Sequence, residues 1–207
     1  MKNIKLFVLF FLFNTVLIAQ EQDWILSKDT KDLKTYYRES EDSDIKELKI
    51  ETSIDAPALF IFELINDVDL YDDWVYRTTE AKLMKTYNDQ SLQYYAVVDF
   101  PWPCDDREMY IDSEYSISDD KKYIVTTSKA AARKDIEDRK SHVRILELDL
   151  SWVLSEDENG TTNITYTLRS DPGGFIPAWM VNLALEAGPT NTMNSLKELV
   201  KTYQKNQ

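Results

Sequence analysis

Between positions 33 and 171, hydrophobic and polar residues alternate with a period of two, the signature of strands buried on one face and wet on the other. Leu48, Ile50, Thr52 and Ile54 share a face, with Lys49, Glu51 and Ser53 opposite. Leu92, Tyr94, Ala96, Val98 and Phe100 repeat the pattern, and Leu146, Leu148, Leu150, Trp152 and Leu154 show it most cleanly against Glu147, Asp149 and Ser151. Further strands are predicted over 77–87, 107–117, 121–128 and 161–170, separated by the turn signals Asn88-Asp89, Asp119-Asp120 and Glu158-Asn159-Gly160. Short connections of this kind join antiparallel neighbours. No helical pattern falls between the later strands, so the fold class is α+β, and the sheet is expected to keep one wet face.

Two helices are readable. The first covers 57–66, with Asp55 as its expected N-cap and Pro57 in its first turn. Its apolar residues Leu59, Phe60, Ile61, Phe62, Leu64 and Ile65 leave almost no polar side, which implies burial on more than one side. The second covers 176–203, with Ile176, Trp179, Met180, Leu183 and Ala187 on one stripe and Met193, Leu196, Val200 and Tyr203 continuing it. Gly188-Pro189 interrupts it, and because proline removes one backbone hydrogen bond and crowds the preceding turn, a kink or short unwound segment is predicted there.

The first residues change the picture of where the chain works. Lys2 and Lys5 precede an apolar run from Leu6 to Phe13 that resumes at Val16 and ends at Ala19, before the chain turns acidic. The run is short for a membrane span, so residues 1–19 read as a secretory signal peptide cleaved near Ala19, with retention as an N-terminal anchor the alternative. An exported protein, periplasmic or secreted, is the expectation, with residues 20–207 forming one domain and a monomer assumed. Cys104 is the only cysteine, so no intramolecular disulfide can form.

Charge then excludes a class of partner. The formal charge of −13 becomes −15 once Lys2 and Lys5 leave, a surface that repels phosphate backbones and anionic lipid headgroups, so nucleic acid is not an expected partner. His142 is the only histidine, and no spacing of His, Cys and carboxylates would assemble a metal site or a nucleophile with its base. With four glycines in the chain there is no glycine-rich phosphate loop either. No cofactor is implied.

Three stretches carry a family likeness. Ser53-Ile54-Asp55-Ala56-Pro57, followed by the apolar helix, Asp67, Asp69 and Trp74, is similar to the entry segment of helix-grip ligand-binding proteins. Val98-Asp99-Phe100-Pro101-Trp102-Pro103 leads into Asp106-Arg107-Glu108, and downstream comes Ser170-Asp171-Pro172-Gly173-Gly174-Phe175-Ile176-Pro177-Ala178-Trp179-Met180. Together these resemble the START domains, the lipid-transfer domains related to the steroidogenic acute regulatory protein, over roughly 24–203. Asp106 stands where an Asn is common in that family's turn, and Glu108 replaces an Asp.

The resemblance implies a curved antiparallel sheet with a long C-terminal lid helix enclosing a hydrophobic cavity, and a loop matching 101–106 acting as part of a gate. It implies that the chain binds, and transfers, a lipid or other hydrophobic small molecule, with transient membrane contact. The alternative on the same scaffold is a cyclase or hydrolase of aromatic or polyketide-like substrates; a non-catalytic envelope scaffold is a third class. The expected ligand-contacting residues are Phe100, Trp102, Arg107, Met109, Ile111, Trp152, Ile176, Trp179, Met180, Leu183 and Ala187. Pro101 and Pro103 are expected to stiffen the gate loop, Gly173 and Gly174 to form the turn that aims the lid, and Pro189 to break it.

Arg107 is the residue with the sharpest expectation. It shares strand parity with Met109, Ile111 and Tyr115, so if those face inward it does too, and a buried guanidinium needs a partner, either a carboxylate or a polar lipid headgroup. Asp99 and Asp171 are the candidates, Asp99 having the wrong parity unless a bulge intervenes; the other reading is an Arg turned back to solvent. Trp102 is expected at the lid or a membrane interface, or as a buried structural residue.

Overall fold

The structure is a computed structural model that describes residues 23–40, 43–133, 136 and 139–205. The segment read as a signal peptide, 1–19, lies outside the described residues, as does the side chain of Leu183. No helix among the described residues is long and apolar enough to cross a membrane.

The alternating segments form the strands β1 (Ile25–Asp29), β2 (Leu33–Arg38), β3 (Glu47–Ile54), β4 (Thr78–Asn88), β5 (Ser91–Val98), β6 (Asp106–Ile117), β7 (Tyr123–Ala130), β8 (His142–Arg144), β9 (Glu147–Glu156) and β10 (Thr162–Asp171). They make one curved sheet in the order β1-β2-β3-β10-β9-β7-β6-β5-β4, antiparallel throughout except for the short β8, which pairs parallel to β6. Register places Thr126 opposite Trp152, Trp152 opposite Tyr166 and Tyr166 opposite Ile50, so an apolar row crosses the inner face. The outer face carries the matching charged row, in which Lys129 and Arg169 flank Asp149 at 3.2 and 3.0 Å and Arg38 reaches Glu47 at 2.6 Å.

Helix α1 (Ala58–Asn66) seats Ile61, Phe62, Leu64 and Ile65 in the core, and the Phe62 ring meets Tyr115 of β6 at 4.8 Å. Asp55 does not cap it, contrary to expectation. Pro57 occupies the N-cap, and the Ala58 N–H donates instead to Oε2 of Glu156 at 2.9 Å, an acceptor supplied by β9. A 3-10 turn (Val68–Leu70) and the short α2 (Tyr71–Trp74) then bury Val68 and Trp74.

The C-terminal segment is two helices, α3 (Ala178–Ala184) and α4 (Ala187–Lys205). The break falls at 185–186, before Gly188-Pro189, because a proline in the first turn of a helix has no intrahelical hydrogen bond to lose. Pro189 is therefore part of α4 and not the hinge. Met193, Leu196 and Val200 of α4 are fully buried against the inner face, while Tyr203 is exposed.

The outer face is not wet everywhere. Tyr95, Val97, Tyr110 and Ala131 form a separate buried cluster, so β5 and β6 are covered on both sides. Within it Glu108 and Arg144 make an ion pair at 2.6 Å, with side-chain exposures of 1% and 7%. The remaining bonds of that pair are satisfied: Tyr95 donates to Glu108 at 3.1 Å, and Arg144 donates to the carbonyls of Arg133 and Ile136. Breaking into such a pair leaves a buried charge, which is why its saturation matters more than its attraction.

Candidate functional site

The inner face is filled unevenly. Beneath α1 and α4, Leu48, Ile50, Leu154 and Ile164 are closed off completely. Toward α3, the inward-facing Leu148, Leu150 and Leu168 and the neighbouring Val98 are only half-buried, and α3 does not cover them. Met109 and Ile111 lie in a second buried cluster with Leu92, Tyr94 and Ala96, and Trp152 lies in the main cluster with its ring edge-on to Tyr166 at 4.8 Å. Two buried clusters thus share one concave face, with half-covered leucines at their border.

Arg107 faces inward as its parity predicts and is 2% exposed. Its partners are not carboxylates. Nε donates to the Pro172 carbonyl at 2.8 Å and Nη2 to the Gly173 carbonyl at 3.1 Å, Nη1 donates to the carbonyl of Asp105, and the guanidinium stacks on Phe100 at 4.3 Å. Asp99, one expected partner, is instead paired with Arg77, and Asp171, the other, accepts from the Gly173 N–H at 2.8 Å. Main-chain carbonyls take three of the five N–H donors without neutralising the charge, so burial holds the Arg107 pKa below its usual value, opposed by Cys104, Asp105 and Asp106 nearby.

Those three carbonyls belong to the two segments that frame the mouth, so Arg107 fastens the 105 loop and the 172–173 turn to β6. Gly173 and Gly174 have φ of 66° and 73°, a region open to glycine at little cost. A Cβ would also stand 3.3 Å from Val143 at the first and 3.4 Å from Arg107 at the second, so β8 and Arg107 pack directly on the turn. At the far end of the lid segment, Asn182 accepts from the Lys46 N–H at 2.9 Å and donates to the Asp44 carbonyl at 3.0 Å. Glu186, in the break, takes the Tyr37 hydroxyl at 3.0 Å and Lys28 at 3.4 Å. The strap 172–186 is thus tied to β6 at one end and to the β1–β3 edge at the other.

Its apolar stripe does not face the sheet, which corrects the sequence expectation. Trp179 is 62% exposed, Met180 and Ala187 are exposed and Ile176 is half-buried. Trp102, 93% exposed between the exposed Pro101 and Pro103, packs on neither the lid nor a core, and Leu146 and Phe175 project from the segments beside Ile145 and Gly174. Five large apolar side chains thus point to water from the elements bordering the mouth.

Other chemistry is sparse. Among the described residues no group of three His, Cys, Asp or Glu could hold a metal ion. His142 begins β8 with Nδ1 2.9 Å from the Ser141 hydroxyl, and Cys104 is a free thiol in the 101–106 loop. A hollow of about 500 Å³ lies on the outer face, lined by Arg38, Glu47, Lys129, Asp149 and Arg169, whose charges are paired across it. The Glu108–Arg144 pair escaped sequence reasoning. Its one signal is that β5 and β6 carry large rings, Tyr95 and Tyr110, on the side that alternation assigns to water.

Comparison with known proteins places this geometry. The family model described as START domain matches residues 13–207. An uncharacterized protein of Pseudomonas aeruginosa is 30% identical, over 86% of this chain and 87% of its own length. Phosphatidylcholine transfer protein of Mus musculus is 21% identical over 88% and 86%. The crystal structure of a STAR-related lipid transfer protein fragment from Xanthomonas axonopodis superposes with a TM-score of 0.78 at 26% identity, covering 86% of this chain and 98% of that one. The chain belongs to the START domain family, whose members bind and transfer lipids.

Proposed function

We propose that this protein is an exported carrier that binds one lipid or similarly apolar molecule between the inner face of its sheet and the strap 172–186 that contains α3, and exchanges it at a membrane surface. The observation that carries the reading is the asymmetry of the inner face: sealed under α4, half-covered under α3, with Trp102, Leu146, Phe175, Trp179 and Met180 turned outward around the uncovered end. Burial of a guest is driven by about 0.8 kcal/mol for each methylene removed from water. A lipid already in a bilayer gains little from moving into an equally apolar pocket, so the carrier chiefly lowers the cost of crossing water, and release of the strap sets the rate.

The exposed side chains complete the argument. A chain with a formal charge of −13 is repelled by anionic headgroups, so its approach to a bilayer rests on apolar contact, for which tryptophans at an interface are suited. Carriage is favoured over catalysis because the histidine, His142, sits at the start of β8 against the Ser141 hydroxyl, and the inward hydroxyl–carboxylate contact of Tyr37 with Glu186 ties the strap to the sheet. The test is mass analysis of protein purified under native conditions, together with movement of fluorescent lipids between vesicles. One lipid per chain and faster vesicle exchange are expected; protein that carries no apolar molecule and leaves exchange at its spontaneous rate overturns the proposal.

A further inference from the structure

On the carrier reading, release of the strap sets the rate of exchange, so whatever holds the strap's first turn in place bears on function. That turn rests on the short ladder where β8 lies parallel to β6, with Arg107 opposite Val143 and Glu108 opposite Arg144. Neighbouring residues of a strand point to opposite faces, so the two pairs look in opposite directions. Arg107 and Val143 meet the turn: Arg107 donates to the Pro172 and Gly173 carbonyls, and Val143 Cγ1 stands 3.3 Å from where a Cβ on Gly173 would be. Glu108 and Arg144 turn to the outer face, where Arg144 Nη2 and Nε both donate to Glu108 Oε1, at 2.6 and 2.9 Å.

The outer pair decides whether β8 stays. Among the described residues β8 pairs with β6 and with no other strand, and it is three residues long and half-buried. The net worth of each backbone bond in so short a ladder is small, whereas stranding a carboxylate that is 1% exposed is costly. Arg144 therefore cannot leave Glu108 cheaply, and its other contacts hold it from several sides. Nη1 donates to the carbonyls of Arg133 at 3.0 Å and Ile136 at 2.9 Å, and the guanidinium lies 5.2 Å from the centre of the Tyr110 ring. Tyr95 takes the second carboxylate oxygen of Glu108 at 3.1 Å, and the Ile145 N–H donates to the Glu108 carbonyl at 2.9 Å. The Arg144 main chain in turn faces the strap, its carbonyl 3.6 Å from the same Cβ position on Gly173.

We infer that Glu108 and Arg144 are positioning residues for the strap: from the outer face of the sheet, acting through β8, they hold the 172–174 turn against Arg107 and so set how fast the guest exchanges. Both side chains point away from the strap, and the backbone of β8 carries their effect to it. This rests on the carrier reading and adds to it a control of rate seated on the far side of the sheet.

The experiment uses the full chain and two outer-face variants. Arg144→Lys keeps the charge and removes the planar fork of donors. Tyr95→Phe keeps the ring and removes one hydrogen bond to Glu108, and it serves alone should the first variant fail to fold. Amide hydrogen exchange is compared over 173–176 and 192–200, and transfer between vesicles is followed with a phosphatidylcholine and a diacylglycerol bearing the same fluorescent acyl chain, using whichever the wild type moves faster. Arg144→Lys should speed both the 173–176 amides and the transfer by about three- to tenfold, and Tyr95→Phe by about two- to threefold, the range for one lost hydrogen bond. The 192–200 amides and the lipid bound per chain should keep their wild-type values, a split between rate and occupancy that a general loss of stability does not produce. Amides of 173–176 that ignore both substitutions, or that accelerate while transfer does not, overturn the inference and leave the carrier reading standing. A wild type that moves neither lipid removes the carrier reading, and the inference falls with it.

Discussion

The two ends of the inner face are built from the same kinds of residue and do opposite things. Under α4, Met193, Leu196 and Val200 meet Leu48, Ile50 and Ile164 with nothing left exposed. Under α3, equally apolar residues stay apart: Leu148, Leu150 and Leu168 remain half-covered while Trp179 and Met180 face water. Hydrophobicity therefore does not decide which end closes. Attachment does. α4 is packed from Thr192 to Val200, whereas among the described residues the strap before it is tied near its extremities, by Arg107 at 172–173 and by Asn182, Leu185 and Glu186 at the other end. One end supplies stability and the other a mouth.

The largest effect should come from the closed end. Leu196→Ala leaves a cavity in a fully packed site and is expected to cost about 2–5 kcal/mol in chemical denaturation. A cost near zero would show that α4 is as loosely held as α3, and the contrast would dissolve. Next in size is the fastening of the strap. Arg107→Met strips donors from the carbonyls of Asp105, Pro172 and Gly173, an expected loss of about 1–3 kcal/mol. Its sharper signature is local, since amide hydrogen exchange should rise over 172–186 and stay unchanged in α4. Uniform acceleration through the chain would mean that Arg107 is an ordinary core residue and fastens nothing in particular.

That fastening marks where sequence reasoning stops. Parity alone placed Arg107 inside, because side-chain direction in a strand is dictated by the period of two. Its partners could not be read the same way, since carbonyls of Pro172 and Gly173 are main-chain groups that every residue carries, and only the turn made by the two glycines aims them. The seven long strands follow from alternation for a similar reason, while β8, three residues long, is too short for a period of two to mark it. The cover it brings to β6 was hidden, because the stretch leading to it is rich in charge and reads as solvated. The apolar stripe of α3 misled for the opposite reason. Amphipathicity tells that one face of a helix avoids water, and says nothing about whether sheet, guest or membrane takes water's place.

Two smaller effects sharpen the open end. Trp179→Ala removes a side chain that touches little, so stability should move by no more than about 0.5 kcal/mol. Vesicle-to-vesicle transfer should nevertheless slow severalfold if the exposed indole works at the bilayer. A loss of stability approaching that of Leu196→Ala would place Trp179 in the core and refute the outward face of α3.

The last effect is invisible at neutral pH and reports on the room itself. Phenols ionise near pH 10 in an unfolded chain, whereas burial holds Tyr94 and Tyr166 protonated beyond that point in the folded one. Above about pH 10 the folded state therefore binds more protons than the unfolded state, so their contribution is fully present below that pH and drains away as pH rises past it. Ultraviolet titration of phenolate in the wild type, minus that of Tyr166→Phe, isolates one of the two. Delayed ionisation of Tyr166, with stability falling only on the alkaline side, is expected. Ionisation at the ordinary value would mean that bulk water reaches β10 freely, and an inner face open to water at that depth could not shelter an apolar guest at either end.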